Sequence, residues 1–401
     1  MSARRAVIID IVRSPFGRGR AGGALDGLHP VDLYAQVLRA LATRTGIDPA
    51  LIEDVITGCV IQVGEQAGNL ARQAVLAAGW PVSVPAVTLD RKCGSAQQAF
   101  DFAAQGVIAG AYDVVVAGGV ERMGLVPMRA NRLGRDADGR MLKLRYPEGL
   151  VRQGISAELI AARWKLSREE QDAFALRSHQ LAAQAEDAGG TARAIVPIEV
   201  TREDGSTRQV DRDEGLRRDT SLARLAGLKT AFDDPAAAAR FPQIRWSVTA
   251  GNSSQVSDGA AAALIVEERV AQRLGLVPRA AISHFAVAGD DPLMMLTGVI
   301  PATQRLLKRA GLKPHEVSAY EVNEAFATVP LAWMREFDVD PARVNAMGGA
   351  IALGHPVGAS GGRLLATLLA ALEDGMGRWG VQTMCESGGM ANATLIENLR
   401  R

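Results

Sequence analysis

The chain has 401 residues, of which 48% are hydrophobic and 22% charged, enough for two or three domains and too apolar for disorder to dominate. With 45 Lys+Arg against 44 Asp+Glu the net charge is +1, which gives no electrostatic reason to expect nucleic acid or an anionic membrane as partner. No apolar run approaches the ~18 residues that span a bilayer.

The start, Met-Ser-Ala-Arg-Arg-Ala-Val-Ile-Ile-Asp, has too short an apolar stretch for a signal peptide. Instead Arg5–Val12 reads as a buried strand. Val31–Ala42 reads as an amphipathic helix with Leu33, Val37, Leu38 and Leu41 on one side. Glu53–Val60 and Val84–Leu89 are strand-like, Gln97–Ile108 is helical, and Asp113–Ala117 is an apolar strand ending in Gly118-Gly119. Strands and helices alternate, which implies an α/β layered domain. The 42 glycines and only 4% aromatics point to close backbone packing and tight turns.

A second copy follows. Arg44-Thr-Gly46-Ile47-Asp-Pro49-Ala-Leu-Ile52 matches Arg309-Ala-Gly311-Leu312-Lys-Pro314-His-Glu-Val317 at an offset of 265 (309 − 44). Cys93-Gly-Ser, a helix, the strand Val114–Ala117 and Gly-Gly are matched by Gly358-Ala-Ser360, the helix Leu364–Leu372, the strand Val381–Met384 and Gly388-Gly389. Two matches in the same order argue for a duplicated α/β unit. Residues 123–255 have a different texture, rich in Arg and in helical pattern (Ser156–Trp164, Arg168–Asp187), with turns at Asp138-Gly139, Gly189-Gly190 and Asp204-Gly205. They read as an insertion covering one face of the core. The division is 1–122 with 256–276, 123–255, and 277–401.

Three cysteines, Cys59, Cys93 and Cys385, are odd in number and widely spaced, so neither a disulfide framework nor a metal site is expected and the compartment reads as reducing and cytoplasmic. Cys93 stands between a strand and a helix in Asp90-Arg-Lys-Cys-Gly-Ser; a helix N-terminus and two cations favour a thiolate there. The alternative is a buried structural cysteine. His355 lies in Gly348-Gly-Ala-Ile-Ala-Leu-Gly-His-Pro-Val-Gly358, one imidazole among glycines. A phosphate loop would need Lys and Ser/Thr where His-Pro stands, so a catalytic His that substrate must approach is the better reading. Cys385 ends a strand of the second copy, and two such cysteines meeting between the halves would divide into nucleophile and acid/base. Asn323-Glu-Ala-Phe326 follows the strand Ser318–Val322, where Asn323 either holds a polar ligand or caps a helix.

Cys93-Gly-Ser, Asn323-Glu-Ala-Phe, Gly354-His-Pro and Cys385-x-x-Gly-Gly, in that order, resemble the active-site motifs of the thiolases, as does Gly251-Asn-Ser-Ser-Gln-Val-Ser-Asp-Gly. The likeness runs over essentially the whole chain. It implies an α/β thiolase fold, a five-layered αβαβα core of two duplicated halves with an inserted loop domain, in a homodimer or homotetramer. By the resemblance Cys93 carries the acyl group as a thioester, and His355 activates it and, with a water on Asn323, stabilises an oxyanion. Cys385 is the acid/base, and backbone N–H groups of Cys93 and Ser387 form a second oxyanion hole. Coenzyme A, a co-substrate rather than a bound cofactor, would be met by Arg217, Ser254, Phe232 and Phe326.

The chain departs from the family's short-chain biosynthetic members. Arg152-Gln153 replaces His-Met, Leu89-Asp-Arg-Lys precedes the nucleophile, and Cys-Glu386-Ser387-Gly-Gly replaces Cys-Ile-Gly-Gly-Gly. These features look like degradative thiolases of actinobacterial type, including those acting on steroid-derived chains, with a biosynthetic acetoacetyl-CoA thiolase as the alternative. A ketoacyl-carrier-protein synthase would need a second active-site His, which none of the other four histidines supplies. A non-catalytic acyl-CoA or lipid-binding relative should have lost Cys93 or His355.

Overall fold

The computed structural model describes residues 4–201 and 205–400. The Asp204 half of the expected Asp204-Gly205 turn lies outside them. Strands β1 (Ala6–Arg13), β2 (Gly17–Arg18), β3 (Asp54–Gly58), β4 (Ala86–Leu89) and β5 (Val114–Arg122) alternate with helices α1 (Pro30–Thr45), α2 (Leu70–Ala77) and α3 (Ser95–Ala109). Then come α4 (Arg140–Arg145), α5 (Gln153–Trp164), α6 (Arg168–Asp187), the hairpin β6 (Ile198–Thr201) and β7 (Thr207–Val210), α7 (Leu222–Ala226) and α8 (Pro235–Arg240). The chain returns to the core with β8 (Ser257–Glu267), α9 (Glu268–Arg273) and β9 (Ala280–Gly289). It ends in α10 (Val299–Ala310), β10 (Ala319–Val322), α11 (Thr328–Phe337), α12 (Ala350–Leu353), α13 (Ser360–Ala371), β11 (Trp379–Glu386) and β12 (Met390–Asn398).

Two half-sheets repeat one plan. The order β4-β3-β5-β8-β1 runs parallel, parallel, antiparallel, antiparallel. The order β10-β11-β12-β9 runs parallel, antiparallel, antiparallel, and a lone parallel bridge from Tyr320 to Val344 stands where a further strand would be. The halves join where Ala6, Val7 and Ile8 pair with Ile282, Ala281 and Ala280. The duplication holds at the expected offset: α3 starts at 95 and α13 at 360, β5 at 114 and β11 at 379, each 265 apart. Both copies also end a helix on a left-handed glycine, Gly46 (φ 69°) and Gly311 (φ 67°), before a short 3₁₀ turn.

Helices α1 and α2 cover the first half-sheet, with Leu33, Val37, Leu38 and Leu41 packed on Val7, Val116 and Leu264. Helices α10 and α11 cover the second, with Leu306 and Trp333 on Val322, Val381 and Leu395. Between the half-sheets α3 and α13 share one core with Ile11, Ile265, Ile282 and Ile396. Five layers result. The middle layer explains the small residues: a Cβ on Gly119 would stand 2.0 Å from the Gly358 carbonyl oxygen, and one on Gly361 2.5 Å from the Gln97 nitrogen.

Two expectations change. Strand β5 runs through Gly118-Gly119 to Arg122, because the glycines are where the central helices approach. The segment between β5 and β8 touches both halves rather than one face: Ile155 and Ile160 of α5 join the core around Trp333, while Ile198, Val200 and Val210 join that of α1. Helix α6 has the expected bounds, fixed by a capping box of Ser167 and Glu170.

Candidate active site

Strand β4 stops at Leu89, the chain turns through Asp90–Gly94 with Lys92 left-handed at φ 50°, and α3 begins at Ser95. Ser95 Oγ braces the turn, donating to the Lys92 carbonyl at 2.6 Å and accepting from the Arg91 N–H at 2.8 Å. Cys93 is thereby held at the start of α3, 6% exposed, among Val60, Ile61, Met123, Val126, Val357, Leu364 and Met384. The expected resting thiolate is corrected here. Burial pushes the Cys93 thiol well above its ordinary value, and Cys385 and Glu386 push it further. The ammonium of Lys92 pairs with Asp90 instead, and Arg91 acts on Glu386 and Asp101. A neutral thiol needs a base.

His355 supplies one. It follows Gly354, whose φ of 102° suits glycine and whose Cβ would stand 2.4 Å from Ser257 Oγ. The His355 N–H donates to the Gln255 carbonyl at 3.0 Å and to Ser257 Oγ at 3.1 Å. Ser360 Oγ donates to the Pro356 carbonyl at 2.8 Å, so toward His355 Nδ1, 2.6 Å away, it is the acceptor. Nδ1 then carries the hydrogen and Nε2 the lone pair. That Nε2 stands 3.4 Å from Asn323 Nδ2. Burial, then Arg363, lowers the His355 pKa to about 3, so the ring is neutral at physiological pH.

Asn323 leaves β10, its N–H on the Thr383 carbonyl at 3.1 Å. Its side chain also hydrogen-bonds Cys385, and its Oδ1 is buried without a partner. It does not cap a helix, since α11 begins five residues later. Cys385 lies inside β11, paired with Ala391, one residue before the strand ends. Burial first, and then Glu386, raise its thiol to about 12 against the opposing Asn323 bond. Ser387 is half-buried in the Ser387–Gly389 turn, where Gly388 and Gly389 have φ of 97° and 79°. The four motifs thus meet between the halves.

Glu324 ties two of these motifs together, a part sequence reading missed. It accepts from Ser178 Oγ at 2.7 Å, Asn345 Nδ2 at 2.9 Å and the Ile351 N–H at 3.1 Å, and a Cβ on Gly349 would collide with it. Its place beside Asn323 was the available signal. Ser360 was legible only as the partner of Ser95 in the repeat.

The residues expected at coenzyme A gather in part. Phe232 and Phe326 meet edge to face at 5.7 Å, and the Ser254 N–H donates to the Ala325 carbonyl at 3.0 Å. Gln255 Nε2 bonds the Gly215 carbonyl at 2.9 Å, which brings the segment carrying Arg217 alongside. Arg217 is exposed and makes no ion pair among the described residues, while its N–H donates to His179 Nδ1 at 3.2 Å. Among those residues no three His, Cys, Asp or Glu are grouped to hold a metal, and no helix is long and apolar enough to cross a membrane.

A buried thiol pair, a neutral imidazole and an asparagine on a duplicated five-layer core define an enzyme of covalent acyl transfer. The family model described as Thiolase, N-terminal domain matches residues 6–269, and Thiolase, C-terminal domain matches 276–398. The chain belongs to the thiolase family and is an acyltransferase. It is similar to the steroid 3-ketoacyl-CoA thiolase FadA6 of Mycobacterium tuberculosis, 46% identical over 98% of this chain and 94% of that one. It is 43% identical to the 3-ketoacyl-CoA thiolase of Yersinia pestis, over 98% and 99%. Among solved structures, the acetyl-CoA acetyltransferase of Bacillus anthracis superposes with a TM-score of 0.88 at 37% identity, over 99% of both chains.

Proposed function

We propose that the enzyme cleaves 3-ketoacyl-CoA with coenzyme A, giving acetyl-CoA and a shortened acyl-CoA, reversibly. His355 Nε2 takes the Cys93 proton, and the thiolate attacks the 3-keto carbon. The oxyanion is met by backbone N–H groups of Cys93 and Ser387 as the carbon–carbon bond breaks. The departing acetyl-CoA enolate takes its proton from Cys385, leaving an acyl thioester on Cys93. Cys385, now thiolate, deprotonates the incoming CoA thiol, which attacks the thioester and frees Cys93; a water on Asn323 together with His355 stabilises the thioester oxygen of the departing acetyl-CoA enolate. Arg217, Phe232 and Ser254 of the loop domain 123–255 and Phe326 of the half 277–401 hold coenzyme A, the first half being 1–122 with 256–276, in a homodimer or homotetramer of the cytoplasm. No cofactor stays bound.

The observation that carries this reading is the neutral His355, its lone pair fixed on Nε2 by Ser360, in one buried site with two protonated thiols. The relatives named steroid 3-ketoacyl-CoA thiolase and 3-ketoacyl-CoA thiolase, at 46% and 43% identity, support cleavage of 3-ketoacyl-CoA over condensation of two acetyl-CoA, the reaction suggested by the acetyl-CoA acetyltransferase at 37%. Brief incubation with a 3-ketoacyl-CoA and acid quench should leave an acyl mass on the Cys93 peptide alone. Cys385→Ala should still accept acyl from an acyl-CoA but lose carbon–carbon cleavage and formation, and acyl label on Cys385 would reverse the roles. Turnover of acetoacetyl-CoA above that of long or cyclic substrates would favour the condensing reading.

A further inference from the structure

Behind the two thiols, where α3 faces β11 and β12, buried oxygen acceptors stand without donors. Glu386 is fully buried, and neither carboxylate oxygen has a hydrogen-bond partner among the described residues. Asp101 accepts from Thr394 Oγ1 at 2.7 Å through Oδ1, and its Oδ2 is unmet. The side-chain oxygens of Gln97, Gln98 and Asn392, all buried, are unmet too. A buried acceptor without a donor costs ~1–3 kcal/mol, and a buried charge costs more. A carboxyl that keeps its proton sheds the charge and becomes a donor in one step.

Glu386 also touches the catalytic turn. A Cβ on Gly94 would lie 2.2 Å from Glu386 Oε1 and 3.0 Å from Asn392 Nδ2, which donates to the Gly94 carbonyl at 3.1 Å. Glu386 therefore rests against the residue after Cys93, and its own neighbour in β11 is Cys385. The other charges facing it are Arg91 and Asp90 from the turn and Asp101 from α3. Burial, Asp101 and Asp90 outweigh Arg91 and raise Glu386 to about 8, and burial raises Asp101 to about 8 as well.

We propose that Glu386, with Asp101 as a neighbouring charge, is a positioning residue that acts through the cysteines: protonated, it lets Cys93 take up negative charge, and ionised, it holds both thiols closed. The proposal rests on Cys93 as nucleophile. In alkaline solution the carboxylate forms beside Cys93 and Cys385 and opposes their ionisation, so the site limits its own thiolate content.

Glu386→Gln, neutral at every pH, tests this. The wild type at pH 7 should show a carboxylic-acid carbonyl infrared band that Glu386→Gln lacks and that fades above about pH 8. Above that pH, Glu386→Gln should be alkylated at Cys93 by iodoacetamide about tenfold faster than wild type, the effect of a thiol pKa one unit lower. Its alkaline limb of kcat should move with the alkylation curve. If Glu386→Gln does not fold, Asp101→Asn serves: removing that neighbour should let the band fade at lower pH. An infrared spectrum unaltered by both variants, or alkylation curves that coincide with wild type, would overturn the proposal. Band and alkylation need no substrate, so expected results there with no turnover of any 3-ketoacyl-CoA would count against the proposed reaction alone.

Discussion

At the scale of single residues, the site depends on which groups are uncharged. The helix N-terminus and the Arg91-Lys92 pair argue for a thiolate, yet Lys92 is spent on Asp90 and burial outweighs the rest. The task of charging Cys93 falls to His355, and His355 depends on Ser360 for its tautomer. Ser360→Ala should lower kcat roughly tenfold, about 1.4 kcal/mol on the barrier, with KM little changed, because the ring loses its fixed orientation while substrate contacts stay. Because His355 titrates near 3, no acid limb of kcat between pH 5 and 7 should come from it, and above that range it stays the free base. Steady-state kinetics of wild type and Ser360→Ala across pH checks both points. A kcat unaffected by Ser360→Ala would remove the tautomer argument.

At the scale of elements, the motifs meet because glycine lets α3 and α13 approach the sheet. Gly119 on β5 is the narrowest point, with the Gly358 carbonyl oxygen and the Ala96 Cβ at 2.0 and 2.9 Å from where its own Cβ would be. Gly119→Ala should destabilise the fold by about 1–3 kcal/mol through overpacking. It should also lower activity, because the His355–Gly358 segment must move away from β5. The midpoint of urea unfolding and the turnover number together measure this, and an alanine accepted without loss in either would show slack in the middle layer. This is also where sequence reading met its limit. The strands rich in Val and Ile, and the helices with apolar stripes such as α1, were legible from periodicity. Strand β8 was not, since Gly259-Ala-Ala-Ala-Ala263 is a strand only because β1 and β5 flank it and both faces are covered. Catalytic side chains were legible because motif and turn coincide. Glu324 and the approach of Asp101 to Glu386 were not, because their work lies in contacts between segments far apart in sequence, and Ser360, only five residues from His355, belongs to no motif of its own.

At the scale of the whole molecule, the two halves are joined by the shared α3–α13 core, by side-chain bonds such as Thr394 to Asp101, by backbone pairing at the β1–β9 seam and by the buried cation Arg279. Arg279, 6% exposed, opens β9 with its N–H on the Ile8 carbonyl at 2.8 Å. Its guanidinium reaches Asp10 of β1 through Nη1 at 2.7 Å and Glu373 beyond α13 through Nε and Nη2, both at 2.8 Å. One side chain therefore pins the first half-sheet, the second and a central helix. Asp10 has a second partner in Arg44 at 2.8 Å, whereas among the described residues the other cation near Glu373 is the more distant Arg400, at 3.9 Å. Arg279→Met keeps much of the aliphatic volume and strands Glu373 as a largely buried charge. Removing one partner of a buried ion pair costs about 3–5 kcal/mol, and the lower end applies here because Asp10 keeps Arg44. The variant should unfold at a clearly lower temperature. A triple Arg279→Met, Asp10→Asn, Glu373→Gln chain, which removes the stranded charges, should recover most of the loss. Calorimetry of the three forms decides it: a single variant as stable as wild type would mean that the backbone seam and the shared α3–α13 core hold the halves together unaided.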